Sequence, residues 1–106
     1  MAKYLVVASY SAEGIKGVVS KGGSARRDAV AKMVGDLGGK VEGFYFGFGE
    51  GDAYVLLDLP DNVSAAALGL AVSATGMAST KTTVLLTPEE IDRATKTKVT
   101  YKAPGA

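Results

Sequence analysis

Residues 40–59 read KVEGFYFGFGEGDAYVLLDL, and the alternation in this stretch decides the fold. From Lys40 to Phe48, Glu42, Phe44, Phe46 and Phe48 fall on one side, with Val41, Gly43, Tyr45 and Gly47 on the other. A period of two belongs to a strand, because successive side chains point to opposite faces of a sheet. Gly49-Glu50-Gly51-Asp52 then makes a turn, and Ala53–Leu59 a second strand closed by Pro60-Asp61. Two strands joined by a short glycine-rich loop predict an antiparallel hairpin.

On the N-terminal side, Lys3–Tyr10 is rich in β-branched and aromatic residues and reads as a strand that stops at Ser11-Ala12-Glu13-Gly14. A short helix over Ile15–Val19 ends at Lys21-Gly22-Gly23. Ser24 is the predicted N-cap of a longer helix, in which Ala29, Val30, Met33, Val34 and Leu37 recur at three- and four-residue spacing. Gly38-Gly39 supplies its C-cap. On the C-terminal side, Asp61 or Asn62 caps an alanine-rich helix over Val63–Thr75 that Gly76 ends. Thr80–Leu86 is a fourth strand, and Thr87-Pro88-Glu89-Glu90 a capping box with proline at the first helical position. A short helix through Ile91 and Ala94 and a tail from Lys96 to Ala106 complete the chain. The order β-α-β-β-α-β plus a terminal helix predicts an α+β domain with the ferredoxin-like split βαβ fold. Its four strands form one antiparallel sheet with the main helices on one face.

At 106 residues this is one domain, spanning 1–106 and large enough to bury a core without metal or disulfide staples. The chain holds neither cysteine nor histidine, which excludes disulfides and thiolate chemistry and removes the commonest general base and metal ligand. No cofactor and no metal site is expected. Net charge is +1 with both signs spread along the chain, so no basic face for nucleic acid is expected. The apolar run after Met1 is too short to span a bilayer and lacks a signal peptide's basic region and cleavage site. The expectation is a cytoplasmic protein with no membrane partner.

If Phe48 pairs with Ala53, Phe44 and Phe46 share a face with Val55, Leu57 and Leu59, while Tyr45, Tyr54, Leu56 and Asp58 occupy the other. A sheet with helices on one side and water on the other normally alternates apolar with polar. Here both faces are apolar or aromatic. The phenylalanine face is therefore assigned to the helices and the tyrosine-rich face to self-association, giving a two-fold homo-oligomer through the open sheet.

Two constellations could carry chemistry. Gly22-Gly23-Ser24-Ala25-Arg26-Arg27 brings glycines, a helix N-terminus and two arginines together, and Ser24, Arg26 and Arg27 are candidate anion ligands. Cations there oppose the helix dipole, so an anion or an acidic neighbour is expected to compensate. Tyr10, Tyr45, Tyr54 and Asp58 are candidate ligand-binding residues, and desolvation would raise a buried Asp58's pKa. The structural alternative pairs Asp58 with Lys81 or Lys3. Ser9, Ser11 and Ser24 have no histidine to activate them, so no residue is assigned a catalytic role.

The run Leu37-Gly38-Gly39-Lys40, then Gly43-Phe44-Tyr45, Gly49-Glu50-Gly51-Asp52 and Pro60-Asp61, resembles the GYD domain family. Tyr4, Arg26-Arg27, Gly76, Thr80 and Thr87 with Glu90 extend the likeness over nearly the whole chain. The resemblance implies a ferredoxin-like fold of the dimeric α+β barrel group and no established activity. One position departs from the Gly-Tyr-Asp signature that names the family: Gly51 stands where the tyrosine would be. Either the turn needs glycine for a positive φ, or a pocket is wider here.

These features predict a homo-oligomeric domain that binds a small molecule or a protein partner. The alternative is a cofactor-free dimeric-barrel enzyme, an isomerase or monooxygenase acting on a small activated or aromatic substrate, which rests on fold analogy. A purely structural module is the third reading. A cavity lined by the tyrosines and Asp58 would favour the enzyme.

Overall fold

A computed structural model describes residues 1–105. In chain order it holds β1 (Ala2–Tyr10), α1 (Ala12–Lys21), α2 (Gly23–Asp36), β2 (Lys40–Phe46), β3 (Ala53–Leu59), α3 (Asn62–Ala74), β4 (Ala78–Leu85) and α4 (Pro88–Lys96). The four strands form one sheet in the order β2-β3-β1-β4, with every neighbouring pair antiparallel. This is the ferredoxin-like α+β arrangement, with a pair of helices in the first crossover.

Local chemistry explains most boundaries. Ser11 caps α1 by accepting from the Gly14 amide at 3.2 Å, and Asp61 caps α3 by accepting from Ser64 at 2.8 Å. At α4 the capping box is complete: Thr87 Oγ1 accepts from the Glu90 amide and Glu90 accepts from the Thr87 amide. Ser24 does not cap α2. The N-cap lies two residues earlier, at Gly22, whose φ of +90° sets the sharp turn out of α1. At the other end, Gly38 at φ +84° closes α2, and the Gly39 amide donates to the Val34 carbonyl at 3.0 Å.

The hairpin differs from the simple alternation in two ways. Phe46, not Phe48, pairs with Ala53, a two-residue change of register that leaves Phe44, Tyr45 and Phe46 on their predicted faces. A β-bulge between Val41 and Gly43 then breaks the alternation. Val41 pairs with Leu57 and joins the core, and the extra residue Glu42 reaches Lys3 on the opposite face.

Paired residues share a face, so Tyr4, Val6, Ala8 and Tyr10 of β1 lie with Val55, Leu57 and Leu59, under the helices. Leu5 and Val7 share the open face with Leu56 and Tyr54. The core joins Tyr4, Val55, Leu57 and Leu59 of the sheet to Val34 of α2 and Ala65 and Leu68 of α3. Tyr4 is buried to its ring, and its hydroxyl donates to Asn62 Oδ1 at 2.6 Å, fixing the start of α3 on the sheet. Beyond β4, every residue from Ile91 to Gly105 is exposed and α4 buries nothing. That arm explains a radius of gyration of 16.9 Å and a long dimension of 57 Å, against about 13 Å for a compact chain of this length.

Replacing Tyr4 by Phe keeps the buried ring and deletes the bond to Asn62. Urea unfolding should show a loss of about 1 kcal/mol, the net worth of one hydrogen bond, with an unchanged denaturant slope.

Candidate functional site

At one end of the sheet, on the helix side, the last residue of β1 meets α1, the first half of α2 and the end of α3. They enclose a groove of about 360 Å³ whose walls include Tyr10, Gly17, Val18, Arg26, Met33 and Val72. The groove exists because small residues face it, notably Gly17, Ala25, Ala29 and Ala71. A Cβ at Gly17 would meet nothing within 4 Å. The start of α1 is tied down by the Met77 carbonyl, which accepts from the Ser11 amide at 2.8 Å and the Ser11 hydroxyl at 3.1 Å. Gly14 is needed at this junction, since a Cβ there would run into the same carbonyl oxygen.

The groove brings together one residue from each candidate constellation. Arg26 lies over the Tyr10 ring, 5.7 Å from guanidinium carbon to centroid, and its Nε donates a long 3.4 Å bond to the Tyr10 hydroxyl. A cation over an aromatic face is an attractive arrangement. Tyr10 is itself held by its backbone: its amide donates to Asp52 Oδ2 at 2.8 Å, while the Asp52 amide donates to the Ala8 carbonyl at 2.9 Å. Arg26 forms no ion pair among the described residues, and α2 has no acid in its first turn. The acidic neighbour expected for Arg26 is therefore missing, and the tyrosine face stands in its place. Arg27 and Ser24 do not line the groove; Arg27 pairs instead with the adjacent Asp28 at 3.2 Å.

Tyr10 does not join the other tyrosines, because it lies on the helix side of the sheet. Tyr45 and Tyr54 are cross-strand partners on the open face, and Tyr45 is 68% exposed. The Tyr54 hydroxyl accepts from the Gly51 amide at 3.3 Å, so its ring folds over the hairpin turn. Gly51 is buried and lacks a positive φ; a Cβ there would collide with Val7 and crowd Tyr54. Close approach, not φ, requires glycine at this position, and Tyr54 fills the neighbouring space.

Asp58 sits at the far end of the open face and binds Lys3 at 3.0 Å, while Glu42 binds the same ammonium at 2.6 Å. Lys3, rather than Lys81, is thus the partner. The Asp58 carboxyl is held below its ordinary value, chiefly by the hydrogen bond from Lys3, which outweighs the opposing effect of burial. The Lys3 ammonium is pushed up by Glu42 first and Asp58 second. A general base with a raised pKa was the expectation for a desolvated Asp58; an ionised, lysine-bound carboxylate is what the fold provides. None of Tyr45, Tyr54 and Asp58 lines the groove or the two smaller or shallower concavities beside α3.

The groove residues Gly17, Val18, Val72 and Met77 escaped the sequence reading. Glycines within α1 disguise a ten-residue helix as a short one, and nothing in spacing alone places the end of α3 against it. Among the described residues no helix is long and apolar enough to cross a membrane.

A βααββαβα chain with a four-stranded antiparallel sheet and a helix-side groove defines a ferredoxin-like α+β domain. A family model described as GYD domain matches residues 4–95, and the chain belongs to that family. Comparison with curated proteins finds no match, and comparison with solved structures finds none either.

The lowered Asp58 pKa has a defined consequence for stability. Its contribution is complete above the unfolded carboxylate value near pH 4 and is lost as pH falls through the lower folded value. Asp58→Asn should cost about 1–2 kcal/mol at pH 7. Thermal melts from pH 7 to pH 2 should show a shallower acid loss in the variant than in the parent protein.

Proposed function

We propose that this domain is a homodimeric binding module, joined through its open sheet face, with a small molecule held in the helix-side groove of each copy. The uncovered sheet carries this reading. Leu5, Val7, Leu56 and Tyr54 form an apolar centre with Tyr45 beside them, and all three body helices lie on the opposite face. Strands that face water alternate with polar residues, and strands buried on both faces do not. Lys3, Glu42 and Asp58 border the apolar centre on one side and Lys81 and Thr83 on another, the arrangement of an apolar core with a polar rim. A self-complementary face of this kind pairs about a two-fold axis. Such pairing buries one side of the sheet and leaves the groove on the other side open.

The enzyme reading has less behind it. It needs an activated nucleophile or base in a cavity, whereas Asp58 is bound to lysine outside the groove, and the groove's own carboxylate, Glu13, is a surface group paired with Lys16.

Analytical ultracentrifugation should give twice the 10.8 kDa chain mass at micromolar concentration. Leu56→Lys and Tyr45→Lys, which place charge at the centre and edge of the face, should each shift the protein toward monomer with the fold retained. Unchanged dimers in both variants would refute this interface.

A further inference from the structure

We propose that the groove binds a monocarboxylate with an apolar body, gripped at its charged end by Arg26; this rests on the small-molecule reading above. Three features of the groove select that chemistry. First, Arg26 is a half-buried cation without a carboxylate partner among the described residues, one turn into a helix whose dipole opposes it. A bound anion relieves that opposition. Second, Tyr10 orients the guanidinium by its ring face and hydroxyl, using only Nε. Among the described residues the two terminal nitrogens make no hydrogen bond, and they form the planar fork that fits a carboxylate with two parallel bonds. Third, Val18, Ala29, Met33 and Val72 give the groove a largely apolar wall beside Arg26.

The charge balance favours one negative charge over two. Glu13 and Lys21 also line the groove, so with Arg26 its formal charge is a single positive. A phosphate monoester, at about −1.5 to −2 near neutral pH, would leave excess charge beside Glu13. The apolar part of the ligand has a direction to follow. Met33, Val72, Tyr10 and Arg26 are shared with an adjoining apolar gap of about 40 Å³ between sheet and helices, lined by Val30, Phe44 and Leu68. Room for about a dozen water-sized units in the groove suits a medium-chain acyl or a single-ring aryl acid.

Titration calorimetry with octanoate and phenylacetate, each beside its neutral amide, tests the assignment. Both acids should saturate one site per chain, with the amides weaker by about tenfold or more, the scale of a charge-assisted pair. Arg26→Gln should abolish that preference. Gly17→Leu, at a groove-wall position where a Cβ meets nothing within 4 Å, should block both acids in a protein with unchanged circular dichroism. Equal binding of acid and amide, a preference that survives Arg26→Gln, full binding by Gly17→Leu, or no saturation by either acid would each overturn the proposal. Sedimentation of the same samples separates the two readings: a monomer that prefers the acids removes only the dimer, and a dimer indifferent to charge removes only the ligand.

Discussion

Strand β1 is hydrogen-bonded along both edges, to β3 on one side and β4 on the other, and its register governs nearly everything else. Pairing Tyr4 with Leu57 and Val84 sends Tyr4, Val6, Ala8 and Tyr10 under the helices, and Leu5 and Val7 to the open face. A slip of one residue would invert that division along the whole strand. Two contacts hold the register at its far end: the Asp52 amide on the Ala8 carbonyl, and the Asp52 carboxylate on the Tyr10 amide. Asp52 is therefore structural, continuing the sheet past Ala53 and setting the place of the groove's tyrosine.

The division of faces assigns the charged groups two different tasks. On the open side, Lys3 shares one ammonium between Glu42 and Asp58, and the bulge at Glu42 makes that sharing possible. On the helix side, Arg26 receives an aromatic ring and no carboxylate. The first cluster is satisfied within the chain. The second retains donors that the described residues do not use, and this contrast separates a structural ion pair from a candidate binding group.

Much of the fold was legible because its signals are local. The hairpin itself, the Gly38-Gly39 ending of α2 and the capping box at Thr87 each act within a few residues; the last two appear where the sequence places them, and the hairpin does so with its pairing shifted by two residues. What escaped was non-local. The bulge moves Glu42 across the sheet, yet a bulge carries no reliable mark in composition. The side of Tyr10 depends on which β1 face meets the helices, and tyrosines at Tyr4 and Tyr10 invite grouping with Tyr45 and Tyr54 on residue type alone. Gly51 was legible as a glycine requirement but not in its cause, since Val7 approaches it from a strand forty-four positions earlier. Of the candidate site, Arg26 and Tyr10 were each picked out, but as members of different groups.

The arm beyond β4 gives the molecule two parts that do not share their cohesion. Nine residues make a helix of about 14 Å, shorter than isolated helices normally need to persist in water. It has no buried face to help it; the Thr87–Glu90 box and Glu89 favour one end, and Arg93, 4.0 Å from Glu90, and Lys96 lie on the negative pole of its dipole. Heat will therefore unwind this segment while the sheet is still intact. A far-ultraviolet trace will begin to fall before the tertiary signal does, and a single melting temperature will describe the body alone.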